Sequence, residues 1–352
     1  MTTSTDTSLL GRNTFGIDVR ARQVVDYDSI ADLQSFIAQR NAEGNPQPLL
    51  HIGGGSNLLF TADFEGTILH SCIKSIELLD DADGAELQTV RVRVGAGIVW
   101  DEWVDYAIAQ GWYGLENLSL IPGEVGASAV QNIGAYGVEA KNVIDTVEVV
   151  SLMDGSVRSF QCQELGYGYR KSRFKTDLRG LYAVTHVTFR LSRNFSPRLE
   201  YGGLRSTLAA RGIAEDSLTA RQLRDVIISV RQAKLPDPAV LGNAGSFFVN
   251  PVVTRSDYER VVALYASQGG DGTVPHYDVD ADHVKIPAGW LIEQCGWKGH
   301  SLGPAAVYER QALVLVNTGG ATGQDILRLC KAVQDDVYTR YGIRIVPEVN
   351  VV

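Results

Sequence analysis

The segment at 114–137 limits most strongly what this chain can fold into. It is rich in Gly, Ser, Asn and Pro, yet it is too apolar for a solvated linker and too broken for a regular helix or strand. A loop of this length inside a compact domain is usually functional or disordered. Because small residues let the backbone approach a flat ligand closely, the segment predicts a ligand-lining loop, with a buried connector as the alternative.

Strand and helix patterns are interspersed along the rest of the chain. Period-2 alternation at 90–94 and 182–191 is typical of strands, 147–160 is typical of a hairpin, and the apolar spacing at 100–108 is typical of a helix. Elements of both kinds indicate a mixed α and β class. A change in composition near 192–197 predicts a domain boundary. Further helices are predicted at 30–40, 219–233, 256–267, 289–295 and 324–341.

Charge and cysteine content narrow the functional classes. With 32 Lys and Arg against 41 Asp and Glu, the net charge of −9 disfavours non-specific binding to nucleic acid or to anionic membranes. The four cysteines are widely spaced, which favours a reducing compartment, and none of the six histidines has metal-ligand spacing. We see no signal peptide and no apolar run of about 18 residues, so we expect a cytoplasmic protein without a bound metal.

A glycine-rich motif follows a short apolar run at 48–52. Three successive glycines let backbone N–H groups turn toward an anion. Leu58 stands where a Rossmann fingerprint would need its third glycine, and the ending of a Walker A loop is also absent. The motif therefore predicts a pyrophosphate loop of neither common kind, or else a tight structural turn. Its residues are Gly53, Gly54, Gly55, Ser56 and Asn57.

Four cations lie within the six residues 170–175, which stands out in an acidic chain. Arg170 follows Tyr169, and an arginine among aromatic residues suits bidentate recognition of a carboxylate or a phosphate. The segment therefore predicts a binding site for an acidic ligand. A solvated basic face is the alternative.

Ser246 and Glu348 are two further candidates. Glycines before Ser246 and two phenylalanines after it suggest a hydroxyl held at a close approach, although a structural serine is the alternative. No nucleophile-elbow pattern surrounds it, so a hydrolase nucleophile is not expected. Glu348 falls in a predicted strand at 343–352, where a carboxylate is costly unless it is paired or functional. An exposed edge strand is the alternative there.

The order of several motifs along the chain is more specific than any one of them. Together they closely resemble the family of the UDP-N-acetylenolpyruvoylglucosamine reductases, flavoenzymes of bacterial peptidoglycan synthesis. The segment Tyr201-Gly202-Gly203 is similar to the longer, tyrosine-loop type of this family. The motifs are NTFG at 13–16, GGGSN at 53–57, GLENLSLIPGEVG at 114–126, QNIGAYGVE at 131–139, GYR at 168–170, KLPDP at 234–238, GNAGSFF at 242–248, AGWLIEQCGWKG at 288–299 and PEV at 347–349.

The resemblance implies an α+β fold of the vanillyl-alcohol-oxidase type. A two-lobed FAD-binding domain would cover 17–194, with the lobes divided near 72–75. A C-terminal α+β domain at 195–352 would bind the substrate, and its last strand would return to the active site.

The resemblance also implies the ligand contacts. FAD would be held non-covalently, and three of its contacts, Ser128, Gln131 and Asn132, have side chains suited to the edge of a ring. The FAD contacts would be Gly53, Gly54, Gly55, Ser56, Asn57, Ile121, Pro122, Gly123, Gly126, Ala127, Ser128, Gln131, Asn132 and Gly134. The contacts to the UDP-sugar would be Tyr169, Tyr201, Lys234, Asn250 and Gln311.

The implied reaction needs a cation and a proton donor. NADPH, as co-substrate, would reduce FAD, and the hydride would pass to the methylene carbon of an enolpyruvyl ether on a UDP-sugar. Negative charge then develops on the neighbouring carbon and spreads into the carboxylate, where a cation and a general acid are required. Arg170 would be the cation, Glu348 its partner carboxylate and Ser246 the proton donor.

Two other functions are compatible with such a scaffold. A flavin oxidase usually tethers its flavin covalently, and His51 is the only candidate near the glycine motif. A flavin-binding or nucleotide-binding sensor would need none of the three catalytic groups and would not turn over NADPH. No protein partner is implied.

Overall fold

The computed structural model describes residues 1–44, 47–79, 88–201 and 203–352, so Gly202 of the tyrosine-loop motif lies outside the described residues. The helices predicted from periodicity are confirmed, with ends that differ by at most two residues. No helix in the described ranges has both the length and the apolar character that crossing a membrane requires. The α-helices are α1 (Ile30–Ala42), α2 (Trp100–Ala109), α3 (Val125–Gln131), α4 (Leu204–Ala210), α5 (Ala220–Lys234), α6 (Arg255–Ser267), α7 (Ala288–Gln294) and α8 (Gly323–Tyr341).

The strands are many and mostly short, as interspersed turn residues predict. The hairpin predicted at 147–160 is confirmed as β10 and β11. The strands are β1 (Thr2–Ser8), β2 (Arg20–Tyr27), β3 (Leu49–Ile52), β4 (Leu58–Leu59), β5 (Phe64–Ser71), β6 (Ile76–Leu79), β7 (Thr89–Gly95), β8 (Gly134–Ala135), β9 (Val138–Glu139), β10 (Ile144–Ser151), β11 (Val157–Gln161), β12 (Tyr182–Ser192), β13 (Gly242–Ser246), β14 (Val252–Thr254), β15 (Tyr277–Asp278), β16 (His283–Lys285), β17 (Ser301–Leu302), β18 (Ala305–Val307), β19 (Val314–Asn317) and β20 (Asn350–Val351).

The chain packs into two compact units. The first contains residues 1–7, 21–55 and 64–233, and the second contains residues 8–20, 56–63 and 234–352. By packing alone, 195–233 belong to the first unit, whereas the resemblance assigns them to the substrate-binding domain. The predicted domains are defined by the ligand that each one binds, and packing alone does not test ligand binding. The predicted domain boundaries therefore stay a prediction.

The first unit contains two larger sheets. One has the strand order β1-β2-β5-β3, with β5 parallel to both β2 and β3. The other is antiparallel, with the order β11-β10-β12-β7-β6. The chain leaves the first sheet at Ser71 and enters the second at Ile76. Helix α2 packs its aromatic residues on the second sheet, where the rings of Trp103 and Phe189 lie 5.5 Å apart.

Helix α3 corrects the expectation that 114–137 contains no regular element. Its sequence of small residues has no clear helical period, and Gly126 and Ser128 have low helix propensity. Tertiary packing overrides that preference, because Val125 and Ala129 are fully buried. A side-chain carbon on Gly126 would lie only 2.8 Å from Cβ of Ala96, so glycine is what allows the close packing.

The second unit also combines sheets with helices. Strands β13, β19, β18 and β17 form an antiparallel sheet, and β14, β16 and β15 form a smaller one. Strand β20 pairs in parallel with β4. The long helix α8 begins with a capping box at Thr322 and Asp325 and ends at Gly342, whose φ is +67°. The mixed α and β class is thus present in both units.

Candidate active site

The glycine motif packs against the loop that precedes α3. A side-chain carbon on Gly53 would lie 3.2 Å from Oε2 of Glu124 and 3.3 Å from Cβ of Ala127. One on Gly54 would lie 3.6 Å from Cα of Gly123. Gly55 has a φ of +65°, a conformation that other residues rarely adopt. Two segments that lie about 70 positions apart in sequence are therefore packed together, with the tightest contact at Gly53.

This arrangement fits the FAD predicted to bind there. A pyrophosphate needs backbone groups that can approach closely, and the glycines at 53 and 54 place the backbone close to the loop at 123–127. The contacts predicted from Gly53, Gly54, Gly123 and Ala127 are adjacent in the structure. As FAD contacts they remain a proposal.

Arg170 lies in a strained conformation in the first unit. Its φ is +54°, which is unusual for a residue with a side chain. Its Nη2 atom donates to the carbonyl of Gly134 at 3.0 Å. Among the described residues, the non-glycine residues with positive φ include Leu120, Asn132 and Tyr136 as well. Strain of this kind persists only where the surrounding structure holds it, and it clusters at functional sites.

Side chains hold this loop onto the end of α3. Lys175 Nζ donates to Oε1 of Gln131 at 2.9 Å and to the carbonyl of Arg170 at 3.1 Å. Asn132 donates to the carbonyl of Gly168 at 2.9 Å and to Oε2 of Glu139 at 2.9 Å, and its Oδ1 accepts from the backbone N–H of Lys141. The candidate catalytic arginine is therefore positioned by residues that the sequence predicted as FAD contacts.

Two of those predicted contacts direct their side chains into the protein. Ser128 is buried, and its hydroxyl donates to the carbonyl of Val125 at 2.6 Å. Asn132 is fully buried and uses its amide as described above. Gly126 is buried against Ala96, and Ile121 packs on the core beneath α2. Their geometry supports the shape of the loop, and their contact with FAD stays a prediction.

Ser246 lies at the end of β13 in the second unit. The strand contains an irregularity between Asn243 and Ser246, and Gly245 has a φ of +69°. The side chain of Asn243 stabilises this bend, because its Oδ1 accepts from the N–H of Gly245 at 2.9 Å. Thr14 donates in turn to the carbonyl of Asn243 at 2.6 Å. Thr14 belongs to the first motif of the resemblance, and its supporting role was not visible in the sequence.

Glu348 is next to the Ser246 segment. Its N–H donates to the carbonyl of Phe247 at 2.7 Å, and Val249 donates to Val346 at 3.0 Å. The strand predicted at 343–352 is wrong except at β20, since only an isolated bridge forms at Pro347, which has no N–H to donate. Glu348 therefore lies on extended but irregular backbone. Asn57 donates to the carbonyl of Glu348 at 3.4 Å, which ties the glycine motif's last residue to this segment.

The predicted substrate contacts have mixed surroundings. In the second unit, Asn250 accepts from the N–H of Ala288 at 2.9 Å, Gln311 packs against Gly289, and Lys234 is exposed. In the first unit, Tyr169 and Tyr201 are about half exposed, at 46% and 48%. Exposed aromatic side chains of this size are available for a ligand, and the assignment of all five stays a proposal.

Three residues of the first unit near the candidate site were missed. Glu124 and His70 are bonded to each other at 3.0 Å beside the glycine motif. Asp26, His70 and Cys72 place possible ligand atoms within 4.8 Å of one another, but carboxylates already bond both ring nitrogens of His70. Arg231 is the third, and burial lowers its pKa, as does the nearby charge of Arg170. Glu124 lies within the motif at 114–126 but was given no role, and no sequence signal marks His70 or Arg231, because tertiary packing brings them here.

Two family sequence models match the chain. One describes an FAD binding domain and covers residues 21–161. The other describes the C-terminal domain of UDP-N-acetylenolpyruvoylglucosamine reductase and covers residues 237–352. The two matches agree with the FAD-binding and substrate-binding parts of the predicted fold.

Relatives of the same name match nearly the whole chain. UDP-N-acetylenolpyruvoylglucosamine reductase of Bacteroides fragilis (strain YCH46) is 51% identical over 97% of this chain and 98% of its own length. That of Burkholderia multivorans is 46% identical over 97% and 95%. The solved UDP-N-acetylenolpyruvylglucosamine reductase of Thermus caldophilus is similar in fold, with a TM-score of 0.65, 22% identity and coverage of 99% and 98%. The chain therefore belongs to the UDP-N-acetylenolpyruvoylglucosamine reductase family.

Proposed function

We propose that this chain reduces the enolpyruvyl group of UDP-N-acetylglucosamine enolpyruvate to give UDP-N-acetylmuramate, a precursor of bacterial peptidoglycan. It is an FAD-dependent oxidoreductase with NADPH as co-substrate. The single observation that carries this proposal is the match to relatives of this name, at 51% identity, over 97% of the chain. When bound, FAD supplies the hydride that it has received from NADPH.

The roles of the chain's own residues follow from the charge that develops. We assign Arg170 to the carboxylate of the substrate and Glu348 to orientation of that cation. Ser246 delivers a proton to the carbon beside the one that accepts the hydride. A serine hydroxyl is a weak acid, so it donates only where nearby groups stabilise the charge it keeps.

The charges near Arg170 support an anionic substrate. Arg170 and Arg231 are close enough that the charge of Arg170 contributes to lowering the pKa of Arg231. Two neighbouring guanidinium groups repel each other, and an anion bound beside them removes that cost. In a chain whose net charge is −9, such a local cluster also steers an acidic ligand.

The surroundings of His51 disfavour the oxidase alternative. His51 Nε2 is 2.7 Å from the hydroxyl of Tyr27, and the rings of the two residues stack. Burial, assisted by the charge of His70, lowers the pKa of His51 to about 4. A partly buried histidine already bonded through its ring has little freedom to form a covalent flavin link. Denaturation should therefore release FAD into solution, and flavin retained on the chain would favour the oxidase.

We also propose a cytoplasmic location and, through peptidoglycan synthesis, a contribution to cell shape, cell division and the cell cycle. None of the four cysteines forms a disulfide, which favours a reducing compartment. The substrate is a small molecule, and neither a nucleic acid nor a membrane is required for its reduction.

A spectroscopic experiment tests the proposed reaction. The purified protein should be yellow, NADPH should bleach the flavin absorbance, and UDP-N-acetylglucosamine enolpyruvate should restore it. The control is UDP-N-acetylglucosamine, which lacks the enolpyruvyl group and should not restore the absorbance. A protein that cannot bind FAD, or whose reduced flavin is not reoxidised by the substrate, would contradict the proposal.

A further inference from the structure

A hydrogen-bonded triad lies beside the glycine motif in the first unit. His70, on β5, bonds through Nδ1 to Oδ1 of Asp26 at 2.8 Å and through Nε2 to Oε1 of Glu124 at 3.0 Å. The three side chains are mostly buried, with exposed fractions between 12% and 21%. Glu124 is also the residue whose Oε2 atom would lie 3.2 Å from a side-chain carbon on Gly53. A carboxylate therefore stands directly against the motif assigned to a pyrophosphate.

Counting hydrogen-bond donors shows that the triad needs an extra proton. A neutral imidazole has one N–H donor, whereas an ionised carboxylate can only accept. Both ring nitrogens of His70 face carboxylate oxygens. A neutral ring between two ionised carboxylates can donate only one of the two hydrogen bonds, so the second bond requires one additional proton. An imidazolium between two carboxylates meets that requirement and carries a net charge of −1. Loss of the proton makes the net charge −2 next to the glycine motif.

Other titratable groups also lie near His70. Cys72 Sγ lies 3.7 Å from Nδ1 of His70, and His51 on β3 is near enough for the two rings to interact electrostatically. Tyr27 on β2 is bonded to His51. Burial acts to lower the pKa of His70, but the hydrogen bonds and charges of Glu124 and Asp26 outweigh it and raise the pKa above its ordinary value. The local carboxylates thus favour the protonated ring.

We infer that Asp26, His70 and Glu124 form a proton-holding support for FAD binding, in which protonated His70 neutralises Glu124 so that the loop at 53–55 can accept the pyrophosphate. This inference rests on the proposed FAD site. Glu124 contributes the packing that shapes the loop, and His70 removes the repulsion that its carboxylate would exert on the phosphates. His70 is accordingly a positioning residue, and FAD affinity falls as the pH rises through the titration of the triad.

FAD titration of the apoprotein at constant ionic strength, followed by flavin fluorescence between pH 6 and 9, tests the inference. Each FAD phosphate keeps its single charge over this range, so the titration belongs to the protein. For the parent protein we expect the affinity to fall about tenfold as the pH rises, the effect of one added charge nearby. An affinity independent of pH would overturn the inference.

Three variants separate neutralisation from a merely structural role. His70→Gln should bind FAD about tenfold more weakly at pH 6 and show no further loss at higher pH. Glu124→Gln should bind at least as tightly as the parent and depend less on pH, because His70 no longer has that carboxylate to neutralise. The double variant should recover the affinity lost in His70→Gln, because the charge to be neutralised is gone. Failure of that recovery would overturn the inference, since a lost structural contact is not restored by a second substitution.

Controls keep the result interpretable. His283 bonds Asp280 at 2.9 Å on an exposed surface, so His283→Gln should leave both affinity and pH profile unchanged. Gly53→Val tests the site itself, and unchanged FAD affinity in this variant would refute the glycine-motif site. Weak binding by Gly53→Val, together with a Glu124→Gln variant as pH-dependent as the parent, would refute only the triad. If the variants do not fold, nitrogen NMR of His70 in the parent apoprotein decides. Two protonated ring nitrogens at pH 7 are expected, and a neutral ring would overturn the inference.

Discussion

The two units hold their candidate catalytic residues in different ways. In the first unit, the strained residues Leu120, Asn132, Tyr136 and Arg170 carry side chains, and side-chain amides and an ammonium group hold them in place. In the second unit, the described residues with positive φ are all glycines. There, backbone hydrogen bonds at 246–249 hold the Ser246 segment. The arginine is therefore expected to be sensitive to changes in its neighbours, and the serine to changes in the backbone.

Glu348→Gln should produce a large effect on turnover. The bonds of this residue to Phe247 and Asn57 use its backbone, and glutamine has nearly the same size and shape as glutamate, so these bonds should persist in the variant. We expect FAD content and NADPH oxidation by the flavin to persist, while reduction of the enolpyruvyl sugar slows by at least about 10²-fold. Flavin absorbance and product formation measure the two steps. Loss of FAD in this variant would show that Glu348 has a structural role, and it would contradict the view that the backbone alone supports this segment.

Two glycines of β13 test the backbone support of the second unit. A side-chain carbon on Gly242 would lie 2.2 Å from the carbonyl oxygen of Phe15, whereas one on Gly245 has open space but a φ of +69°. Gly242→Ala should lower the free energy of unfolding by more than about 3 kcal/mol, and Gly245→Ala by about 1 kcal/mol. Chemical denaturation measures both. Equal losses would show that close packing does not hold this strand.

Asn132 tests the side-chain support of the first unit. Asn132→Gly keeps the positive φ but removes three hydrogen bonds, and Asn132→Ala also forces a side chain into that conformation. We expect the free energy of unfolding to fall by about 2 kcal/mol in Asn132→Gly and by about 3 kcal/mol in Asn132→Ala. Turnover should fall in both variants because the loop of Arg170 moves. Full activity in either variant would show that Asn132 does not position Arg170.

An effect smaller than that of the Asn132 variants is expected from a side-chain network away from the candidate site. The bond from His186, together with Arg93 and in spite of burial, lowers the pKa of Glu148 to about 2. Because the folded pKa lies below the unfolded one, this contribution is present above pH 4.5 and is lost as the pH falls toward 2. Glu148→Gln should cost about 1.5 kcal/mol at pH 7 and almost nothing near pH 2. If the parent and the variant differ in free energy of unfolding by the same amount from pH 7 to pH 2, the pKa assigned to Glu148 is wrong.

Local periodicity was enough to predict most regular elements. The alternation of β12 and the apolar face of α2 follow from packing against one core, so each pattern is visible in a short window. Helix α3 was missed because close packing of glycine on Ala96 determines it, and that contact lies 30 positions away. The strand predicted at 343–352 failed because Pro347 interrupts the hydrogen-bonding pattern.

The candidate site depended more on motif order than on local pattern. Composition alone left Ser246, Arg170 and Glu348 with structural alternatives, and only the family resemblance assigned them catalytic roles. Neither route indicated the pairing of His70 with Glu124, which are 54 positions apart and meet only in the folded chain. Networks of this kind depend on tertiary geometry that no short sequence window contains.

The rates of the two flavin half-reactions in Ser246→Ala test the central claim most directly. Only the second half-reaction needs a proton delivered to carbon, and removal of a half-buried hydroxyl should leave the backbone bonds of 246–249 intact. Stopped-flow flavin absorbance should show unchanged reduction by NADPH, and reoxidation by the substrate slowed by about 10²–10⁴-fold. Equal slowing of both steps, or of neither, would contradict the assignment of Ser246 as the proton donor.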